Sequence, residues 1–239
     1  MDSKLDKLRK LRLTTERIHS SLSVEISEIL EEQSISNYLD ILSTHIGASN
    51  TKVAASLFVK RYSFLTVIYL YAMTAWNEKL NVSYKNISLE TDDHDKLWLP
   101  NFHFHNLESE TLHVDRNEWR SYCIEALFKE HISPILNLLS QTTKVSKLIL
   151  WENIAVYIYW LYGTVLTEEE PIEIVNRSKE DFQFIMNKAP GHLFGDYDIN
   201  PLNRYCHEGQ GIEVRRSTCC YSHLTNSKKY CKTCPHQCK

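Results

Sequence analysis

The chain has 239 residues and a formal net charge of −3, with 43% hydrophobic and 24% charged residues. These values indicate one folded domain of generous size, or one domain with a small appendage, and they exclude a disordered chain. The first twenty residues are charged and lack the apolar stretch of a signal peptide, so we expect a cytoplasmic protein in which thiols stay reduced.

The first half of the chain predicts helices. Asn50 can cap a helix that runs to about Asn77, and its apolar positions are too dense for a surface helix, so it is expected to cross the core. Lys60 and Arg61 interrupt this apolar pattern, and their long side chains can reach the edge of the core. Arg61 is a candidate contact for an anionic ligand there, although an ordinary salt bridge is the simpler interpretation.

Residues 80–114 have a different pattern. Two runs rich in β-forming residues, NVSYKNISLE and KLWLPNFHFHNL, flank the turn-like TDDHD, which predicts an antiparallel hairpin or a small sheet. His103 and His105 would point to the same side of one strand. That spacing can bind a metal, but histidines on the surface or in a second layer are the more common case.

Helical patterns return after the β-rich residues. Asp115 with Glu118 resembles a capping box that opens a helix, and Pro134 is expected to kink or end that helix. Ser178 with Asp181 repeats the capping pattern before another helix. From about residue 190 onward glycine, proline and asparagine become frequent, and we place a boundary near residues 190–200.

The apolar stretch Leu148–Leu166 is long enough to span a membrane. Glu152 and Asn153 lie inside it, so a buried core helix is predicted instead, and no integral membrane segment is expected. The chain shows no GxGxxG, P-loop, GxSxG or HExxH pattern, which leaves no sign of a nucleotide site or of hydrolytic chemistry. Cys123 is isolated in a predicted helix and is expected to be a buried structural thiol.

Five of the seven cysteines fall in the last 25 residues. Four of them form two pairs separated by ten residues, in the order Cys219, Cys220, Cys231 and Cys234. Four thiolates can complete a tetrahedral zinc site or a [2Fe–2S] cluster. Adjacent cysteines tend to diverge, which strains a site around one small ion. The pattern therefore favours the wider two-iron group, with zinc left open.

The pattern CCx10CxxC resembles the C-terminal motif of the FhuF-type ferric siderophore reductases. The lead-in RRSTCC and the proline in CKTCP are similar too, over about residues 204–235. Elsewhere the resemblance is weaker and rests on chain length and on stretches such as FVKRYSFL and LILWENI. It implies a [2Fe–2S] cofactor whose metal ligands are Cys219, Cys220, Cys231 and Cys234. Cys206 and Cys238 fall outside the pattern, although Cys238 could in principle replace Cys234.

The resemblance also implies a reaction. A reduced cluster would pass one electron to the Fe³⁺ of a cytoplasmic ferric siderophore, of hydroxamate or citrate type, and Fe²⁺ and free siderophore would be released for iron assimilation. A ferredoxin- or flavodoxin-type protein would supply the electrons.

The charge of the chain is unevenly placed. Residues 215–239 carry six Lys or Arg and no Asp or Glu, whereas residues 1–214 carry 21 − 30 = −9. Arg215 and Arg216 lie just before the first cysteine of the motif, separated from it by two residues, where they could attract an anionic siderophore or an acidic donor. Solvated surface charge is the other interpretation.

The expected fold class is α+β, with a mainly helical body and a small antiparallel sheet or hairpin. Residues 1–200 would form the siderophore-binding body, with the β insertion near 80–114, and residues 201–239 the cysteine-rich iron–sulfur lobe. A zinc-stabilised binding module, or an iron–sulfur sensor without turnover, remains an alternative. No nucleic-acid partner is expected, because the basic stretch is short and joined to an acidic body.

Overall fold

The computed structural model of the chain describes residues 2–94, 97–112, 114–169, 171–205 and 215–237. Within these ranges the protein is mainly helical and carries short strands, which confirms the α+β class. The helices are α1 (Asp2–Lys10), α2 (Glu32–Ile46), α3 (Thr51–Trp76), α4 (Arg116–Leu127), α5 (Ser133–Thr143), α6 (Lys147–Trp160) and α7 (Ile172–Gln183). Three π-helical turns follow α4, α6 and α7, at Phe128–Ile132, Leu161–Val165 and Phe184–Lys188.

Helix α3 crosses the core, as its composition predicts. The Asn50 side chain accepts a hydrogen bond from the Val53 N–H at the start of the helix. Every residue from Leu65 to Ala75 is buried, so the second half of α3 is covered on all sides. Of the described residues, α3 is the one helix long and apolar enough to cross a membrane, but 78% of that window is buried inside the protein. A core helix of a soluble protein shows this same combination.

Helix α6 packs along α3 and is the second core helix. The Ser146 side chain caps it by accepting from the Leu148 N–H. Glu152 and Asn153 are both buried, which confirms that this apolar stretch is a core helix. Asn153 Nδ2 donates to the Ser56 carbonyl on α3 at 2.8 Å, so the amide satisfies a polar group between the two helices.

The helix start predicted at Asp115 is confirmed, because the Asp115 side chain accepts from two N–H groups of the first turn. The disturbance expected at Pro134 is a single π-helical turn just before it, and the helix then resumes as α5. Pro134 lacks the N–H that would bond to the Glu130 carbonyl. The Tyr84 hydroxyl donates to that carbonyl at 3.1 Å instead, so the chain remains helical through the proline.

The predicted cap at Ser178 is wrong. Helix α7 begins at Ile172, and Ser178 lies in its second half with its hydroxyl bonded to a carbonyl of the preceding turn. Asp181 is fully buried and accepts hydrogen bonds from Arg116 at 2.7 Å and from Arg120 at 3.2 Å. The pair that looked like a capping box therefore belongs to a helix interior and to a buried ion-pair cluster.

The β-rich residues form two small sheets. The strands are β1 (Leu13–Thr14), β2 (Val24–Glu25), β3 (Glu78–Leu80), β4 (Ile87–Glu90), β5 (Asn101–Phe104) and β6 (Ser109–Thr111). The predicted antiparallel hairpin is β4–β5, with Leu89 opposite Phe102. The other sheet is the antiparallel pair β3–β6. The larger sheet has the order β1-β5-β4-β2, and β1 runs parallel to β5, so it is mixed rather than wholly antiparallel.

The C-terminal residues pack on the helical body. Phe194, Leu202 and Tyr205 are buried in the main core. After the undescribed stretch, residues 215–237 form turns with little regular structure, and the Asn226 N–H donates to the Ile46 carbonyl at the end of α2 at 3.0 Å. Cys206 and Cys238 lie outside the described residues. The proposed boundary near residue 200 stays a prediction.

Candidate functional site

The two halves of the cysteine pattern meet in space. The thiols of Cys220 and Cys231 lie close enough for each to shift the pKa of the other, which places the adjacent pair beside the second pair. Cys231 and Cys234 are held in one turn by a hydrogen bond of 3.0 Å from the Cys234 N–H to the Cys231 carbonyl. Cys220 and Cys234 are buried, whereas Cys219 and Cys231 are partly exposed, and no disulfide joins the four to one another.

The four thiols are not packed around one point. Of the described residues, only Asp92, Asp93 and His94 bring three ligand atoms within 4.8 Å of one another, in an exposed turn. Four sulfurs bound to a single Zn²⁺ would lie about 3.8 Å apart, given the usual Zn–S distance and tetrahedral angles. The described thiols are therefore spaced more widely than a one-ion site requires.

His103 and His105 do lie on the same side of strand β5. Their rings are 5.2 Å apart, and His105 Nε2 lies 2.8 Å from a carboxylate oxygen of Glu25. Neither belongs to a group of three ligand atoms among the described residues. This agrees with the interpretation of these histidines as surface residues.

Hydrogen-bond donors surround the cysteine sulfurs. The Tyr221 N–H donates to Cys219 Sγ at 3.4 Å, and Lys60 Nζ donates to Cys220 Sγ at 3.5 Å. The pKa of the Cys220 thiol lies below its usual value, chiefly because of the neighbouring Cys231 thiol, whose own pKa is raised, and the charge of Lys60 acts in the same direction. Burial raises the pKa of Cys219. At Cys220 the donors and positive charge favour the thiolate form, which is the form that binds metals.

Glu152 of α6 fixes the chain just before the first cysteine. Its carboxylate accepts from the Ser217 N–H at 2.5 Å, from the Ser217 hydroxyl at 2.8 Å and from the Thr218 N–H at 2.8 Å. The Thr218 hydroxyl also donates to it. Arg216 lies 3.4 Å from the same carboxylate as a buried ion pair. One acidic side chain of the core helix therefore holds three successive residues of the tail.

Helix α3 supports the cysteine pair from the other side. The Ser56 hydroxyl donates to the Cys220 carbonyl at 3.0 Å, and Ser56 in turn accepts from Asn153 of α6. Lys60, one turn further along α3, reaches the Cys220 sulfur and the Ser222 hydroxyl. The adjacent cysteines are thus anchored to both core helices.

A cavity of about 810 Å³ opens beside the cysteines, between α3, α6 and the tail. Cys231 forms part of its wall. Its cationic lining residues are Lys60, Arg61, Arg215, Arg216, Lys229 and Lys232. Its aromatic lining residues are Phe64, Tyr157, Tyr159, Trp160 and Tyr230. None of the described residues that line it is acidic, so the cavity is suited to an anionic ligand with apolar parts.

The three arginines predicted as ligand contacts all line this cavity. Arg61 donates to the Tyr157 hydroxyl at 3.3 Å and, among the described residues, has no carboxylate partner, so the salt bridge expected for it is not formed there. Arg215 is exposed at the rim. Arg216 is only 4% exposed, and its charge is already shared with Glu152, which makes it chiefly a structural residue.

Sequence reasoning missed two residues of the site. Lys60 and Glu152 were noticed only as charges that interrupt apolar helices. A charged residue inside a core helix requires a partner, and that signal could have marked both as residues with a buried contact. The sequence alone does not show that the partner is the cysteine loop.

A family model described as "Ferric iron reductase FhuF-like transporter" matches residues 56–209. This range covers more than half of the chain, from within α3 to beyond Tyr205, and it includes the stretches FVKRYSFL and LILWENI. It ends before the four cysteines, so the match rests on the helical body rather than on the motif. No curated protein matches the chain.

Proposed function

Because the chain belongs to the FhuF-like ferric iron reductase family, we propose that it is a ferric-siderophore reductase. Its substrate would be a cytoplasmic Fe³⁺ chelate of hydroxamate or citrate type, reduced by one electron so that Fe²⁺ is released for iron assimilation. The chelator need not be broken, because oxygen chelators hold Fe²⁺ far less tightly than Fe³⁺. This agrees with a sequence that carries no hydrolytic motif.

The four thiols of Cys219, Cys220, Cys231 and Cys234 would hold a [2Fe–2S] cluster. The contact between the two cysteine pairs supports one shared site, and the adjacent pair Cys219 and Cys220 supports a two-iron group over a single zinc ion. Such a group, when bound, supplies single electrons at a potential that its surroundings adjust. The chain's own contribution is to anchor the cysteine loop through Glu152 and to place the Tyr221 N–H against Cys219 Sγ and the Lys60 ammonium against Cys220 Sγ.

The observation that carries the proposal is the cavity whose wall contains both Cys231 and a set of cations. Siderophore chelates are oxygen-rich, and citrate types are anionic, so Arg61 and Lys232 would attract them by charge. Trp160 and Tyr157 offer apolar faces for the chelator's carbon skeleton. A chelate bound there would lie beside the cysteines, which suits direct electron transfer over a short distance.

The placement of the cavity suggests a separate role for each of two parts of the chain. We propose that residues 1–200 supply the siderophore-binding body and that residues 201–239 supply the cluster-binding segment. Arg215 at the rim would help to recruit the chelate or an acidic ferredoxin- or flavodoxin-type donor. The cytoplasm is the proposed location, since both the donor and reduced thiols belong there.

The test is an anaerobic turnover experiment. The isolated protein should be brown and contain iron and sulfide, and its absorbance should bleach with dithionite. The absorbance should recover when ferric citrate or a ferric hydroxamate is added, with Fe²⁺ trapped by a ferrous chelator. Cys231→Ser should lose or alter the centre, whereas Cys123→Ala, at a buried thiol outside the pattern, should keep it.

Two results would contradict the proposal. A colourless protein that holds only Zn²⁺ would favour a binding module stabilised by zinc. A protein whose reduced centre is not oxidised by any ferric chelate would favour an iron–sulfur sensor without catalytic turnover.

A further inference from the structure

Lys60 stands between the cysteine loop and the cavity. Its ammonium lies 3.5 Å from Cys220 Sγ and 3.3 Å from the Ser222 hydroxyl, and its side chain also forms part of the cavity wall. The residue is half-buried on α3, one turn beyond Ser56, which holds the Cys220 backbone. The ammonium is therefore held against the sulfur by contacts with two residues of the loop.

The charge of Lys60 is less offset by a neighbouring carboxylate than the charge of Arg216. Arg216 also acts on Cys220, but its guanidinium forms an ion pair with Glu152, which offsets its charge. Within the described part of the chain, no carboxylate lies within ion-pair distance of Lys60. Its positive charge is therefore directed mainly at the sulfur and at the cavity.

We propose that Lys60 is a positioning residue that raises the reduction potential of the centre held by the four cysteines. The inference rests on the proposed function, because it requires that these thiols hold a group that accepts electrons. Reduction adds one negative charge to that group. A cation at hydrogen-bond distance from a ligand sulfur stabilises the reduced form more than the oxidised form.

The role differs from that of a ligand contact such as Arg61. Arg61 donates a hydrogen bond to Tyr157 of α6 and has no hydrogen bond to a described thiol. Neutralising Lys60 should therefore change the potential even when no chelate is present. A residue that only bound the chelate, or only supported the fold, would leave the potential of the free protein unchanged.

The experiment is a redox titration of the anaerobic, iron-loaded full chain, followed by absorbance and by EPR of the reduced state. Lys60→Met should shift the midpoint potential to more negative values, and Lys60→Arg should restore it toward that of the wild type. Lys52→Met is the matched control, because Lys52 is an exposed lysine of the same helix, about 12 Å away along the axis. It changes the net charge equally and should leave the potential unchanged.

The outcomes separate the two proposals. A Lys60→Met protein with full iron and sulfide and an unaltered potential would overturn the inference alone. If the Lys60→Met protein does not hold iron and sulfide, the titration uses Lys60→Gln, which is also neutral at this position. A midpoint potential of Lys60→Gln equal to that of Lys60→Arg would then overturn the inference. A wild-type protein that binds no iron and sulfide would overturn the proposed function, and this inference with it.

Discussion

His131 is a buried histidine held between two tyrosines in the π-helical turn after α4. The Tyr62 hydroxyl lies 2.6 Å from His131 Nε2, and the Tyr84 ring lies 4.6 Å from the imidazole. Burial lowers the pKa of His131 from 6.5 to about 4, because the charged ring would lose its hydration. The folded protein therefore keeps this histidine neutral at a pH where the unfolded chain takes up a proton.

This pKa shift predicts a loss of stability in acid. Since the folded pKa lies below the unfolded one, stability is full above pH 6.5 and is lost as the pH falls toward 4. Between pH 7 and 4.5 the cost is about 2 kcal/mol in the free energy of unfolding. His131→Gln cannot titrate, so its free energy of unfolding should fall by about 2 kcal/mol less than that of the wild type between pH 7 and 4.5. Urea unfolding at each pH measures this difference.

Tyr62→Phe is the control for this prediction. It removes the hydrogen bond to the imidazole but leaves the buried histidine in place, so stability should fall at every pH while the acid loss persists. Identical pH profiles for the wild type and His131→Gln would show that the histidine is not the group responsible.

At the residue scale, local signals were predicted well and distant partners were not. Asn50 and Asp115 act on N–H groups two or three residues away, so a few letters of sequence define them. Ser178 and Asp181 have a similar capping pattern, but Asp181 pairs with arginines of α4, which lie more than sixty residues earlier in the chain. A tertiary ion pair overrode the local pattern there.

At the element scale, helix α6 connects the core to the cysteine loop through Glu152. Removing this carboxylate would leave two tail N–H groups and the buried Arg216 without their acceptor. Breaking a buried, hydrogen-bonded ion pair typically costs about 3 kcal/mol. Because the contacts lie between the body and the tail, we expect most of this cost to appear as release of the tail.

Glu152→Ala should therefore make the tail accessible to trypsin, which cleaves after residues such as Lys228 and Lys232. It should also lower the iron and sulfide content several-fold. Limited proteolysis with mass spectrometry and metal analysis measure both effects. Glu125→Ala, which removes an exposed pair with Lys129 on the helical surface, should change neither. A tail that stays protected in Glu152→Ala would refute the anchoring role.

The long elements were predictable and the short ones were not. Helices α3 and α6 carry dense apolar patterns over many residues, which outweigh single charges. Strands β1 and β2 have two residues each, too few for any alternation to be read. Their place in the sheet depends on pairing with β5 and β4, which lie more than sixty residues away. The mixed sheet could thus be seen only in the structure.

At the scale of the whole molecule, the candidate site joins residues from three distant parts of the chain. Lys60, Tyr157 and Cys231 line one cavity, although the sequence separates them by 74 to 171 positions. The sequence predicted the cysteine pattern and the basic tail separately from the helical body. It could not show that the tail folds back over α3 and α6, because each contact depends on side chains from both sides.

The same folding concentrates positive charge in one place on an acidic protein. The chain has a net charge of −3, yet six cations and none of the described acidic residues line the cavity. Long-range attraction would thus favour an anionic chelate over a neutral or cationic one. The cavity's charge therefore gives a physical criterion for choosing between citrate-type and hydroxamate-type substrates.

We predict that gallium(III) citrate, a redox-inert anionic analogue, binds the protein more tightly than a cationic gallium hydroxamate chelate. Raising the ionic strength from 0.05 to 0.3 M should weaken citrate binding by roughly tenfold, because salt screens the cavity charges. Arg61→Gln should weaken it as well, whereas Lys179→Gln, on the surface of α7, should not. Calorimetric titration gives these affinities directly. Equal affinity for both chelates at every salt concentration would mean that the cationic residues of the cavity do not select the ligand by its charge.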